Sequence, residues 1–495
     1  MAGVRDVGTA DRAPVGAGAL AALLARTAAT GARPGYRALA DGVRALLFDG
    51  RVPLRARLPA ERELAAALGV SRATVTAAYD LLREGGYAHS RRGSGTWTAL
   101  PEGRRPSRLA AFPADDGVLD LALAAPHAPE SELAEAYAEA GGALARHAAT
   151  SGYHPFGLPE LRAALAERFT HRGLPTIPEQ ILVTTGAQQG VSLSLALLGR
   201  QGDRALVENP TYPNALDAVR RAGLRSVPVP VTESGWDVAL VESALRRTAP
   251  RLAYLIPDFQ NPTGCVMPYA DRVRLARTAR ATGTWLLIDE TLADLALDVP
   301  APPPFAAAAP AGCGEQILTV GSLSKTHWGG LRVGWVRAGS RLITELAMAR
   351  VSADLATPVL DQLVALGLLE RDAQVLRRRL SQLRAQRAAL AAALTERLPD
   401  WRWRLPPGGQ CLWADLGRPV VTALTEAALR QGVRIEGGTR FGVDPGTHEH
   451  RLRLPYTLPA PSIETAVARL AAALDGEPGA GAGGAWSPRR RDWVA

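Results

Sequence analysis

The chain has 495 residues, a formal net charge of +9, and a composition of 47% apolar and 21% charged residues. That length can hold two or three separately cored domains, and the balance is that of a soluble globular protein. No run of eighteen apolar residues occurs, and no basic stretch leads into a hydrophobic one, so neither a membrane span nor a signal peptide is expected. Cys265, Cys313 and Cys411 are far apart and odd in number, which argues against a disulfide framework or a zinc site and fits a reducing, cytoplasmic setting. A pI near 10 permits an acidic partner such as DNA, although the placement of charge decides.

In chain order, residues 1–33 are an Ala- and Gly-rich N-terminal extension with a short apolar helix at 20–28. Residues 34–98 read as a compact module with helices at 36–49, 60–68 and 72–84. Gly69-Val70-Ser71 is the short turn of a helix-turn-helix, and 89–97 form a β-hairpin wing. Residues 99–117 concentrate Pro, Arg and Gly and read as a linker. From 118 to 475, short unalternating apolar runs at 181–184, 204–207, 252–256, 285–288 and 317–320 alternate with helical stretches. Such runs suit a sheet covered on both faces. Residues 342–397 are nearly all helix formers, and 476–495 have the composition of a disordered tail.

Ser71 is a natural N-cap for the third helix of the module, which leaves Arg72, Ala73, Thr74 and Thr76 in its first turns. Those are the positions from which a recognition helix reaches base edges. The strings Leu58-Pro59-Ala60-Glu61-Arg62-Glu63-Leu64-Ala65, Gly69-Val70-Ser71-Arg72-Ala73-Thr74-Val75 and Gly93-Ser94-Gly95-Thr96 resemble a GntR-type winged helix over some sixty residues. The resemblance implies that Arg62, Arg72 and Thr74 meet double-stranded DNA, and that Arg92 or Gly93 approaches the minor groove. The plainer alternative, a small protein-interaction module, accounts for the helices but not for the helix-turn-helix spacing followed by a wing. Residues 34–98 hold ten arginines against six carboxylates, an excess that positions a module on phosphate while base contacts specify.

Lys325 is the one lysine among 57 basic residues. A composition so biased toward arginine keeps a lysine where a guanidinium cannot substitute. An amine can lose its proton and attack a carbonyl to form a Schiff base; a guanidinium cannot. Pyridoxal phosphate needs such a lysine, a carboxylate for its ring nitrogen, an anion cup for its phosphate and a flat partner for its ring. Asp289 closes the run 284–288 and would meet the ring nitrogen at a strand end. Thr185-Gly186-Ala187-Gln188-Gln189 lies between a strand and a helix starting near Gln188. Its backbone N–H groups would form the cup, with Ser322 and Arg332 adding a hydroxyl and a guanidinium. Tyr212 would stack on the ring, Asn261 would bond its phenolic oxygen, and Arg453 would offer a fork to a substrate carboxylate.

Gly157-Leu158-Pro159-Glu160-Leu161-Arg162, the 185–189 cup, Asn261-Pro262-Thr263-Gly264, Asp289, Ser322, Lys325, Arg332, Gly408-Gly409 and Arg453 together resemble fold-type I, aspartate-aminotransferase-like enzymes over roughly 350 residues. Behind a GntR-type module, the whole resembles the MocR family of transcription regulators. The implied fold is α/β: a winged helix-turn-helix, then a transferase domain with a mixed, mostly parallel sheet and a smaller C-terminal α+β subdomain. The implied function is regulation. The large domain senses PLP, an amine or an amino acid through an aldimine at Lys325, in a head-to-tail homodimer whose modules rest on the partner's large domain. The alternatives are an active aminotransferase carrying a DNA-binding module, and a degenerate domain that only dimerises. Retention of Lys325, Asp289, Ser322 and Arg332 argues against the last. Two positions depart from the family. Thr291 stands where many relatives have a tyrosine that meets the phenolic oxygen, which puts transaminase competence in doubt. Tyr153, the candidate for reaching the partner's phosphate, lies one residue closer to Gly157 than usual.

Overall fold

The computed structural model describes residues 14–27, 35–91, 95–99 and 117–475. The predicted tail, most of the linker, and Arg92 and Gly93 at the wing tip lie outside the described residues. Four helices, α1 (Ala17–Thr27), α2 (Tyr36–Phe48), α3 (Glu61–Leu68) and α4 (Arg72–Glu84), are followed by the antiparallel strands β1 (Ala88–Arg91) and β2 (Gly95–Thr98). Leu39, Val43, Leu46, Leu64, Val75, Tyr79 and Leu82 form one core because they recur at helical spacing. Leu20 of α1 is fully buried in that core, so the first helix packs into the module and is not a loose extension. Gly69 ends α3 in the left-handed conformation (φ +66°), which most side chains resist and which lets the turn to α4 stay short.

The remaining strands are β3 (Leu119–Leu121), β4 (Ile181–Thr184), β5 (Arg204–Asn209), β6 (Arg225–Thr232), β7 (Gly235–Trp236), β8 (Leu252–Leu255), β9 (Trp285–Asp289), β10 (Ile317–Ser322), β11 (Gly334–Arg337), β12 (Cys411–Asp415), β13 (Val433–Gly437) and β14 (Arg451–Pro455). Eight of them form a sheet in the order β4-β11-β10-β9-β8-β5-β6-β7. It is parallel from β10 through β6 and antiparallel at β11 and β7. Separate apolar clusters cover its two faces, one around Leu206, Leu255 and Ile288 and the other around Val207, Tyr254 and Leu287. A second sheet, β12-β14-β13-β3, packs against helix Asp372–Arg397 and helix Ala460–Asp475 and forms the smaller α+β part.

Some details differ from the sequence expectation. The 342–397 stretch is three helices, Ser340–Val351, Val359–Glu370 and Asp372–Arg397, interrupted where Pro358 cannot continue a helix. Strand β6 carries Pro228 and Pro230, residues that normally argue against a strand, and it sits next to the edge with only the two-residue β7 beyond it. Strand β3 crosses from the start of the large part to the small sheet and pairs in parallel with β13. Among the described residues, no helix is long and apolar enough to cross a membrane.

Candidate functional site

The register of the large sheet brings the chemistry to one end. Ser322 lies opposite Gly334, Gly334 opposite Thr184, and Val320 opposite Asp289. The segments leaving β4, β5, β9 and β10 therefore emerge side by side, at the strand ends where α/β sheets hold ligands. Gly186, at φ +80°, starts helix Ala187–Leu198, whose first amides, Ala187 and Gln188, have no acceptor within the helix. A Cβ on Gly186 would collide with Nη2 of Arg332, so only glycine lets that guanidinium close over the turn. Arg332 donates to the carbonyls of Thr185 (3.1 Å) and Gly329 (3.3 Å) and remains exposed. The Ser322 hydroxyl is held by the Val333 carbonyl (3.0 Å) and shares a hydrogen bond with Ser324 (2.8 Å). The buried Oε1 of Gln188 has no hydrogen-bond partner among the described residues.

Asp289 is buried and held from three directions. The Tyr254 hydroxyl donates to its Oδ2 (2.7 Å), and the amide and hydroxyl of Thr291 donate to Oδ1 (3.0 and 2.7 Å). Thr291 thus supports Asp289. Lys325 keeps part of its surface open to the crevice, but protein walls surround its amine. That desolvation, with the charges of Arg453 and Arg332 against the pull of Cys411 and Asp289, pushes its pKa down to about 8. Its Nζ donates to the Ala124 carbonyl at 2.6 Å.

Tyr212, half-buried, accepts from the Asn214 amide at 2.9 Å, and burial raises its phenol pKa. Asn261, also half-buried, lies near the Cys411 thiol. Arg453 is buried with its guanidinium carbon 4.9 Å from the centre of the Phe441 ring. Its Nη2 donates to the Ala122 carbonyl, so the fork expected to be free already holds a backbone oxygen.

The donor set suits pyridoxal phosphate: an amine near neutrality, a triply held carboxylate, open amides beside an arginine and a half-buried aromatic. The comparisons with known proteins agree. Residues 117–470 match the model of aminotransferase class I and II, and residues 35–97 match that of the bacterial regulatory proteins of the gntR family. The chain belongs to the class I and II aminotransferase family. With its gntR-family module in front, it has the arrangement of a MocR-family regulator, and its cofactor is pyridoxal phosphate. It is similar to LysN, an α-aminoadipate aminotransferase of Thermus thermophilus crystallised with N-(5′-phosphopyridoxyl)-L-leucine. The identity is 32% and the TM-score 0.66, covering 73% of this chain and 93% of that one. The probable rhizopine catabolism regulatory protein MocR of Rhizobium meliloti is 33% identical over 61% of this chain and 65% of its own length. The HTH-type transcriptional regulator YisV of Bacillus subtilis is 27% identical over 86% of this chain and 92% of its own length.

In this aminotransferase-family chain the residues expected to meet DNA lie on α3, on α4 and in the turn between them. Ser71 caps α4, its hydroxyl accepting from the Thr74 amide at 3.1 Å. Arg62, Ser71, Arg72 and Ala73 are exposed and Thr74 is half-exposed; Arg72 is tethered by Glu61 at 3.3 Å, which also accepts from Thr76. Two supports carry no obvious linear signal. Tyr254 reads as strand core but braces Asp289 from the neighbouring strand. Buried Glu208 accepts from Trp236, Ile256 and Gln260, knotting the segment that carries Tyr212 to the one that carries Asn261. A polar residue directly after the apolar run 204–207 was the only available hint of Glu208.

Proposed function

We propose that this chain is a PLP-dependent, DNA-binding transcription regulator whose aminotransferase-like part senses PLP, an amine or an amino acid at Lys325. One observation carries the reading: the DNA-binding module is seated on the two segments that carry Tyr212 and Arg453. At the end of α2, the Phe48 carbonyl accepts from the His448 amide (2.7 Å), Asp49 meets His450 (3.2 Å), and Asn209 approaches the Gly50 carbonyl (3.5 Å). Asn209 precedes Tyr212 by three residues, and His450 precedes Arg453 by three. A shift of either crevice residue is thereby felt at the module, the differential contact that coupling between two sites requires.

When bound, the cofactor supplies an aldehyde that captures amines and a ring that withdraws electrons. In this proposal Lys325 anchors it, and Asp289, braced by Tyr254 and Thr291, holds a proton at the ring nitrogen. Tyr212 covers the ring, and Asn261 holds its phenolic oxygen. Ala187, Gln188, Ser322 and Arg332 hold the phosphate, while Arg453 orients a ligand carboxylate. Arg62, Ser71, Arg72, Ala73 and Thr74, with Arg92 and Gly93 of the wing, meet the operator. The division 34–98 for the DNA-binding module and 118–475 for the sensor goes with this reading, as do a cytoplasmic location and a head-to-tail homodimer, but with each module seated on its own chain's large part and not, as the family resemblance implies, on the partner's. Tyr153, 65% exposed, is free to reach a partner subunit.

A working aminotransferase is the second reading, favoured by the low pKa of Lys325 and by Arg453 in the crevice. Retardation of DNA from upstream of the gene, with affinity changed by PLP or an amino acid, supports the regulator. Absence of retardation in every state, with steady transamination at rates on the order of 1–1000 per second, would establish the enzyme instead.

A further inference from the structure

The three residues that follow β3 carry backbone oxygens into the ligand end of the crevice. Lys325 donates to the carbonyl of Ala124 (2.6 Å), Thr457 to that of Leu123 (3.2 Å) and Arg453 to that of Ala122. The chain is turned there by Asp120, whose Oδ1 accepts from the amides of Ala122 (2.7 Å) and Leu123 (3.0 Å) while Oδ2 pairs with Arg434 (3.2 Å). Consecutive peptide oxygens thus meet the lysine and the arginine that the proposed function assigns to a bound amino acid.

We propose that residues 122–124 are a built-in competitor for the ligand carboxylate: a strap that occupies Arg453 until a carboxylate-bearing ligand displaces it. This inference rests on the regulator reading and deepens it, because it makes the switching ligand an amino acid and not a simple amine or PLP alone. A guanidinium binds a carboxylate through two parallel hydrogen bonds, shorter and stronger than a bond to one neutral carbonyl. Arg453 is only half used by the strap: its Nε is buried without a partner among the described residues, which a second carboxylate oxygen would supply. Little apolar surface opposes release, since Leu123 is 48% exposed, whereas Leu121 before it is fully buried and marks where the hinge ends. The strap also stands where a response is useful. Strand β3 pairs with β13 through only three residues, and it is the first strand after residues 100–116, which lead back to the module.

Two adducts separate the carboxylate from everything else: N-(5′-phosphopyridoxyl)-L-leucine, and the same compound built on isopentylamine, which lacks the carboxylate. Each is added to the full-length protein freed of PLP, and hydrogen exchange is followed over residues 117–125. The leucine adduct is expected to speed exchange there and the amine adduct to leave it unchanged. Thr457→Val removes one strap anchor without touching Lys325 or Arg453. Competition predicts that it binds the leucine adduct about three- to tenfold more tightly, the worth of one net hydrogen bond, and the amine adduct as before. Equal responses to the two adducts, slower exchange with the leucine adduct, or unchanged or weaker binding by the valine variant would overturn the strap. Failure of both adducts to bind would sink the cofactor assignment and the strap with it. A strap that responds as expected in a protein that never retards DNA would leave the strap standing and remove the regulator reading.

Discussion

The crevice around Lys325 and the exposed start of α4 solve opposite problems. In the crevice the chemistry rests on a network: Asp289 accepts three hydrogen bonds, Glu208 joins two loops, and Arg332 closes on a turn that tolerates only glycine. Arg62 on α3 and Arg72 at the start of α4 stand in water, and the order that matters comes from one cap, Ser71, and one tether, Glu61. Buried polar networks are costly to leave half-satisfied, so the crevice is preorganised. An exposed reading surface gains its geometry from the helix it sits on and its specificity only when DNA arrives. Damage should therefore be severe and spectroscopic in the first region, mild and confined to DNA affinity in the second.

The largest effect should come from Lys325→Ala, which removes the only lysine. The visible absorbance of the covalently held cofactor should vanish while the thermal unfolding of the module stays in place. A persisting band would mean that another group holds the cofactor. Next, the depressed amine pKa fixes a pH profile. Protein freed of PLP should capture it faster as pH rises to about 8 and then level off, with on the order of a hundredfold more free amine at neutrality than an ordinary lysine near 10.5 would have. Capture that keeps rising toward pH 10 would show that the crevice walls do not desolvate Lys325.

Tyr254→Phe tests the brace on Asp289. Loss of a hydrogen bond to a charged group costs about 1.5–3 kcal/mol, roughly ten- to a hundredfold in cofactor affinity, with a shifted absorbance maximum. Equilibrium dialysis against PLP reads the first and a spectrum the second. Ser71→Ala should have the smallest effect, about 1 kcal/mol from the lost cap. It should appear in module stability and DNA affinity and leave the PLP spectrum unchanged. A changed spectrum would blur the distinction between the two regions.

The same contrast explains what was legible in the sequence. Lys325, Ser322 and Arg332 lie within one short segment, and Asp289 and the 185–189 cup each close an apolar run, so local pattern pointed to them. Ser71 was legible because a cap is a local device. What escaped depends on neighbours distant in the chain. Tyr254 reaches Asp289 across 35 residues, and Arg453 reaches Ala122 across 331. Strand β3 is too short to leave a period, and β6 hides behind Pro228 and Pro230. Thr291 was legible as a departure from relatives, but its bond to Asp289 required the fold.

In the proposed function, ligand chemistry at Lys325 is reported to DNA. That coupling is tested most directly by titrating DNA from upstream of the gene with the full-length wild type and with Lys325→Ala, each with and without PLP and an amino acid. The small molecules should change DNA affinity in the wild type and leave the variant's affinity fixed. Wild-type affinity that ignores both ligands, or a variant that responds as the wild type does, would refute this coupling.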